Sequence, residues 1–201
     1  MRTIEMNRIT LFQAFGLLAL FTGLVVSPVV HAQVEEATVQ VKGLACPFCV
    51  SGIEKHIEKV EGVSEVSTNL KRGEFVLSYE PGSAFNLESI NEAIVHGGFT
   101  PGPATVTATG SIKKQEERFV LEVTDSRSTF WLFEVEVVEG EDDTRDARPQ
   151  ILTEETAAVL EKAVEANQII RIMGKVHRHK DSSFGLAVEK FEVVEAKEDA
   201  E

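Results

Sequence analysis

Between Ala37 and Thr107 the apolar residues switch repeatedly between a period of two and a helical period, and that rhythm constrains the fold more than any other feature. Thr38-Val39-Gln40-Val41 alternates polar and apolar, the pattern of a half-buried strand. Gly43 to Cys46 makes a loop, and Pro47 suits the first turn of a helix, where its missing N–H costs nothing. Val50, Ile53, Ile57 and Val60 then form one apolar stripe that Gly62 stops. Val63-Ser64-Glu65-Val66 and Phe75 to Tyr79 read as two strands joined by a turn at Lys71-Arg72-Gly73. Asn86 caps a second helix whose apolar positions are Leu87, Ile90, Ile94 and Val95, with Gly97-Gly98 at its end. Thr105-Val106-Thr107 supplies a last strand. The order βαββαβ predicts an α+β unit over residues 37–108, with four antiparallel strands and two helices on one face.

The chain has two cysteines, Cys46 and Cys49, and both stand where the first helix begins. Free N–H groups and the partial positive charge of a helix start favour thiolate over thiol. Two such thiolates can clamp a soft metal ion or exchange with a disulfide. A structural disulfide between residues so close together would remove little unfolded-state entropy, so the pair reads as a site. For disulfide exchange, Cys-Pro-Phe-Cys is a suitable dithiol. Against it, the preceding strand alternates where a central parallel strand would be continuously apolar. No Thr-Val-Pro segment follows either; Thr100-Pro101 is the nearest, and it comes after the second helix. His56 falls toward the solvent edge of its helix, and His96 suits a cation at a helix C-terminus.

Residues 1–32 read as a secretory signal: Arg2 and Arg8, an apolar run from Leu11 to Val30, and Val30-His31-Ala32 before Gln33 as the cleavage site. About 170 residues remain, enough for two small domains. No later apolar stretch is long enough to span a bilayer, so the mature chain is expected in the periplasm or outside the cell, without stable membrane insertion. The net charge of -13 disfavours nucleic acid and anionic membranes as partners.

A second module is expected over residues 110–195. Arg118 to Asp125 alternates with Phe119, Leu121 and Val123 on one side, and Phe130 to Val138 is rich in aromatic and β-branched residues. Residues 139–148 form an acidic loop. A helix from Thr153 to Asn167 has Thr153 as cap and Val159, Leu160, Ala163 and Val164 inward. Ile169–His177 and Leu186–Val194 pair as a hairpin around Lys180 to Ser183. Three strands, a helix and a hairpin make a small five-stranded barrel, OB-like at the level of fold. Trp131 and Phe133 share one strand face, which suits barrel core. His177 and His179 share another, read as an exposed hairpin flank ahead of a metal pair. Residues 196–201 are an acidic tail. No catalytic constellation stands out in the barrel, so a non-enzymatic docking or scaffold module is expected.

Gly43-Leu44-Ala45-Cys46-Pro47-Phe48-Cys49-Val50, with Ile53-Glu54 and Val60-Glu61-Gly62-Val63, resembles the heavy-metal-associated domain family. The resemblance implies a ferredoxin-like fold and Cys46 and Cys49 as metal ligands. It further implies that Phe99, from the loop facing the cysteines, shields the site. Leu44 stands where the family has a buried loop methionine and would anchor the loop in its place; Pro47-Phe48 is a departure between the cysteines. Copper(I) and mercury(II) are soft and accept two thiolates with no further ligand, whereas zinc wants four. One ion per chain, copper(I) ahead of mercury(II), and a membrane metal transporter or another periplasmic metal-binding protein as partner complete the expectation.

Overall fold

The computed structural model describes residues 32–44, 47–126, 128–135, 149–150, 152–178 and 183–194, with backbone alone at 47–49 and 149–150. The signal at 1–31, Cys46, the acidic loop at 139–148, His179 and the tail at 196–201 lie outside the described residues.

The first unit follows the sequence pattern closely. β1 (Val34–Lys42), α1 (Pro47–Ile57), β2 (Val63–Asn69), β3 (Glu74–Tyr79), α2 (Leu87–His96) and the start of β4 (Thr100–Gln115) make the βαββαβ order. β1 lies between β3 and β4, antiparallel to both, and β2 forms the outer edge against β3. The fold is therefore ferredoxin-like. Val39, Phe75, Leu77 and Val106 project from the sheet into the same core as Val50, Ile53 and Ile57 of α1 and Ile90, Ala93 and Ile94 of α2. Asn86 caps α2 by accepting the Ser89 N–H at 3.0 Å. Of the apolar positions of this helix, Val95 is 58% exposed. It follows Ile94 by one residue, a rotation of about 100° that carries it off the buried stripe.

The second unit is a closed five-stranded barrel. β4, β5 (Arg118–Val123), β6 (Ser128–Val135), β9 (Phe184–Val194) and β8 (Ile169–Arg178) pair in that order, and β8 pairs back onto β4. The β6–β9 pair is parallel and the others are antiparallel. A two-residue strand, β7 (Pro149–Gln150), lies against the end of β6, and α3 (Glu154–Glu165) precedes β8. Thr153 caps α3, accepting the Thr156 N–H, and both threonines bond Glu134 of β6. Phe130, Leu132, Leu121, Ile170, Ile172 and Leu186 fill the barrel, with Leu160 and Ala163 of α3 in the same cluster.

Two expectations need correction here. Trp131 and Phe133 do not join the barrel cluster with Phe130 and Leu132: they face the opposite side of β6, the face that carries Gly185 and Ala187 of β9, where Phe133 is buried at 2%. There the two rings stack at 4.3 Å, and His177 meets Phe133 edge-on at 5.2 Å. His177 is therefore half-buried against an aromatic ring, not an exposed flank; burial, then Lys175, lower its pKa.

The expected break near residues 108–110 falls inside β4. This strand pairs β1 through Ala108, β8 from Thr105 to Ser111, and β5 from Ser111 to Gln115. Gly110 permits the turn-over from one partner to the next, since a Cβ there would lie 2.4 Å from the Glu122 carbonyl oxygen. Beyond the shared strand, Tyr79 of β3 meets Phe85 edge-on at 6.1 Å, and Phe85 touches Phe130 and Phe184 of the barrel. Glu35 of β1 accepts from Thr109 and pairs with Arg171 of β8, each at 2.6 Å. Arg178 pairs with Glu88 of α2. One hydrophobic cluster runs through both units.

Candidate metal centre

Three connections meet at one end of the first unit. Lys42, the last residue of β1, pairs with Thr100, the first of β4, so the loop after β1 lies beside the loop before β4. The Val41 N–H donates to the Gly73 carbonyl at 2.7 Å, bringing the β2–β3 turn to the same end. Sequence explains why the helices close on this point. Gly97 has no side chain, and a Cβ there would stand 2.8 Å from Cγ1 of Ile53, so α2 ends directly on α1. The Phe99 N–H then folds back to the Ile94 carbonyl at 3.2 Å.

Phe99 is half-buried, with its ring 3.9 Å from where a Gly43 Cβ would be, against the start of the cysteine loop. Leu44 is buried at 6% and joins the main core, which fits a loop anchor. Cys49 occupies the first turn of α1, a turn with no acidic residue, so no side chain opposes the positive end of the helix dipole. Exposed Lys42, at the end of β1, and Lys71, in the β2–β3 turn, add cationic charge at this same end of the unit. Of the residues read from sequence, the fold thus brings Leu44 and Phe99 to the helix start that carries Cys49; Cys46 is the residue immediately before α1.

Two features escaped the sequence reading. Glu54, beside Ile53 on α1, accepts a 2.6 Å hydrogen bond from Thr68 of β2, tying the helix to the sheet edge. Nothing in spacing marks that contact, because the partners lie fourteen residues apart. The cationic end is the second: Lys42 and Lys71 become neighbours of the site only through strand register. His56 is exposed, and His96 turns Nδ1 to the Glu92 carbonyl at 2.8 Å, so it closes its own helix. Among the described residues no group of three or more His, Cys, Asp or Glu side chains is arranged to hold a metal ion.

The described residues thus give a helix start that carries Cys49, with Leu44 buried in the loop before it and Phe99 half-buried against Gly43 of that loop. Residues 38–100 match the heavy-metal-associated domain model. Copper chaperone CopZ of Bacillus subtilis is 32% identical over 65 residues, which is 32% of this chain and 93% of that protein. The COP-associated protein of Helicobacter felis is 37% identical over 65 residues, 32% of this chain and 94% of its own. A solution structure of the putative copper-ion-binding protein from Bacillus anthracis is 29% identical, covering 36% of this chain and all of that one, with a TM-score of 0.32. The chain belongs to the heavy-metal-associated domain family.

Proposed function

We propose that this protein captures a single soft metal ion between Cys46 and Cys49 and passes it to another thiol protein, with copper(I) ahead of mercury(II). The observation that carries the reading is the family match across both cysteines, with Cys49 in a helix turn that has positive potential and no acidic competitor. Copper is favoured because CopZ is described as a copper chaperone, and because a site with two soft sulfur donors suits a monovalent thiophilic ion. Two-coordinate thiolate binding at a surface loop leaves room for an incoming thiolate, so the ion moves by ligand exchange. The chain acts as a carrier, not an enzyme.

The partner we propose is a membrane metal transporter: copper-exporting P-type ATPases of Staphylococcus epidermidis are 29% identical over 84 residues, which is 10% of each of those proteins. We place the exchange outside the cytoplasm, after removal of the signal at residues 1–32. The barrel supports a docking role by position, since β8 pairs β4 only from Thr105 onward, whereas Lys42 at the end of β1 pairs with Thr100 at the other end of the strand. Its strand order, with the first strand closing onto the fourth, a parallel third–fifth pair and a helix before the fourth, supports the OB-like reading.

Titration of the reduced protein with copper(I) against a competing chelator tests the reading. One ion per chain is expected, with binding lost in Cys46→Ser and in Cys49→Ser. Unchanged stoichiometry in the double variant would overturn it. Disulfide exchange by the same pair predicts reduction of insulin by the metal-free protein. That alternative is disfavoured because β1, which leads into the site, has antiparallel neighbours on both sides and not the parallel ones of a thioredoxin-type sheet.

A further inference from the structure

β9 leaves the barrel before it ends. It pairs with β6 only from Phe184 to Ala187, whereas its pairing with β8 continues to Val194. Among the described residues, no strand lies against the other side of β9 from Val188 onward, and Glu189, Lys190, Phe191 and Glu192 are all exposed. The N–H and C=O groups along that side are a template for another strand. Phe191 is 37% exposed, one of three large apolar side chains so displayed among the described residues. An open groove of about 440 Å³ adjoins this edge, with Thr107, Arg171 and Met173 beside Lys190, Phe191 and Glu192.

Charges on an edge strand usually guard it against pairing. Here they are self-complementary in one register. Suppose a second copy lays its β9 antiparallel on this edge with the twofold axis through Phe191. Residues equally far from the axis then face each other, so Lys190 of each copy meets Glu192 of the other. Neither side chain has an ion-pair partner among the described residues of its own chain. The two Phe191 rings meet at the axis. Sliding the register so that the axis passes through Lys190 sets the two lysines opposite each other. Moving it to Glu192 does the same with the glutamates. Cross-strand like charges oppose pairing and opposite charges favour it, so the sequence selects the Phe191-centred register.

We propose that this chain self-associates as a twofold dimer through antiparallel β9–β9 pairing centred on Phe191, joining the two barrels into one continuous sheet. The contact is isologous, so it closes at two copies.

Sedimentation velocity on the reduced, metal-free protein at low salt tests it, with circular dichroism confirming that each variant is folded. A concentration-dependent dimer is expected. Lys190→Glu and Glu192→Lys should each lower the association constant about tenfold or more, because both cross-strand attractions become repulsions. The double reversal Lys190→Glu/Glu192→Lys should restore association to near the parent value. Three results would overturn the proposal: a monomer at every concentration up to about 0.5 mM, where even a weak edge contact would register; a double reversal as weak as the single variants; or a dimer that disappears in Cys46→Ser/Cys49→Ser. The last would assign association to the thiols, a result separate from the copper titration above.

Discussion

Replacing Phe85 with alanine should weaken both units at once. Phe85 sits in the loop before α2, 7% exposed, with ring centroids 6.1 Å from Tyr79, 6.0 Å from Phe130 and 6.1 Å from Phe184. Tyr79 belongs to the metal-binding unit and the other two to the barrel, so the ring is a wedge between them. Truncating a buried phenylalanine costs about 3–5 kcal/mol in lost transfer energy and residual cavity. Three edge-on or tilted aromatic partners and a backbone N–H that donates to Ser128 Oγ at 3.3 Å make collapse of that cavity difficult, which places the cost in the upper half of the range. For a chain of this size that is a fall in Tm on the order of 10 °C. Trp131, the single tryptophan, reports on the barrel, while far-UV circular dichroism is weighted toward helices, two of which lie in the metal-binding unit. Urea unfolding followed by both probes should give one coincident transition for the parent chain, because β4 and the hydrophobic cluster are shared. The transition should move to lower urea in Phe85→Ala by both probes. A loss below about 1 kcal/mol, or a parent chain whose two probes unfold separately, would refute the reasoning from a shared core.

Three further outcomes follow from the geometry. Gly185→Ala puts a methyl 2.4 Å from Cε2 of Trp131, so it should cost about 1–3 kcal/mol and shift the tryptophan emission; an unchanged spectrum would mean that the ring does not lie on β9. His177 is held below its ordinary pKa of 6.5 by burial and then by Lys175, so folding favours the neutral ring. That stabilisation is complete above the unfolded-state value and is lost as pH falls below it, and urea midpoints between about pH 7.5 and 5 should decline less in His177→Phe than in the parent. Thr153→Ala removes the α3 cap and one of two threonine hydroxyls bound to Glu134, and should cost about 1 kcal/mol by thermal unfolding.

Local chemistry made much of the first unit legible in the sequence. Asn86, Gly62 and the Val50–Ile57 stripe each act within one turn of their own chain, so periodicity and capping find them. β4 was legible only in its middle. Pro101, Gly102, Pro103 and Gly110 look like breakers, yet the prolines are tolerated because β8 pairs the strand only from Thr105 onward. Gly110 is explained by a backbone approach from β5 that no local pattern announces. Trp131 and Phe133 mislead for a related reason. Their alternation is correct, but the choice of inner face depends on Gly185 and Ala187, more than fifty residues further on. At the site, the family motif pointed to the cysteines and to Leu44 and Phe99, and of these the burial of Leu44 and the approach of Phe99 to Gly43 are seen in the structure. The Glu54–Thr68 bond depends on helix-to-sheet docking that spacing does not encode.

The shared strand also decides how the cysteine loop is aimed. Sixteen residues of β structure span at most about 50 Å, from Thr100 at the loop to Gln115 in the barrel. A domain on a flexible linker searches a volume, and its local concentration at a target falls as the linker lengthens. A loop at one end of a continuous strand does not search. Whatever grips the barrel thereby fixes the bearing of the α1 start as well, since β4 carries both units on one strand.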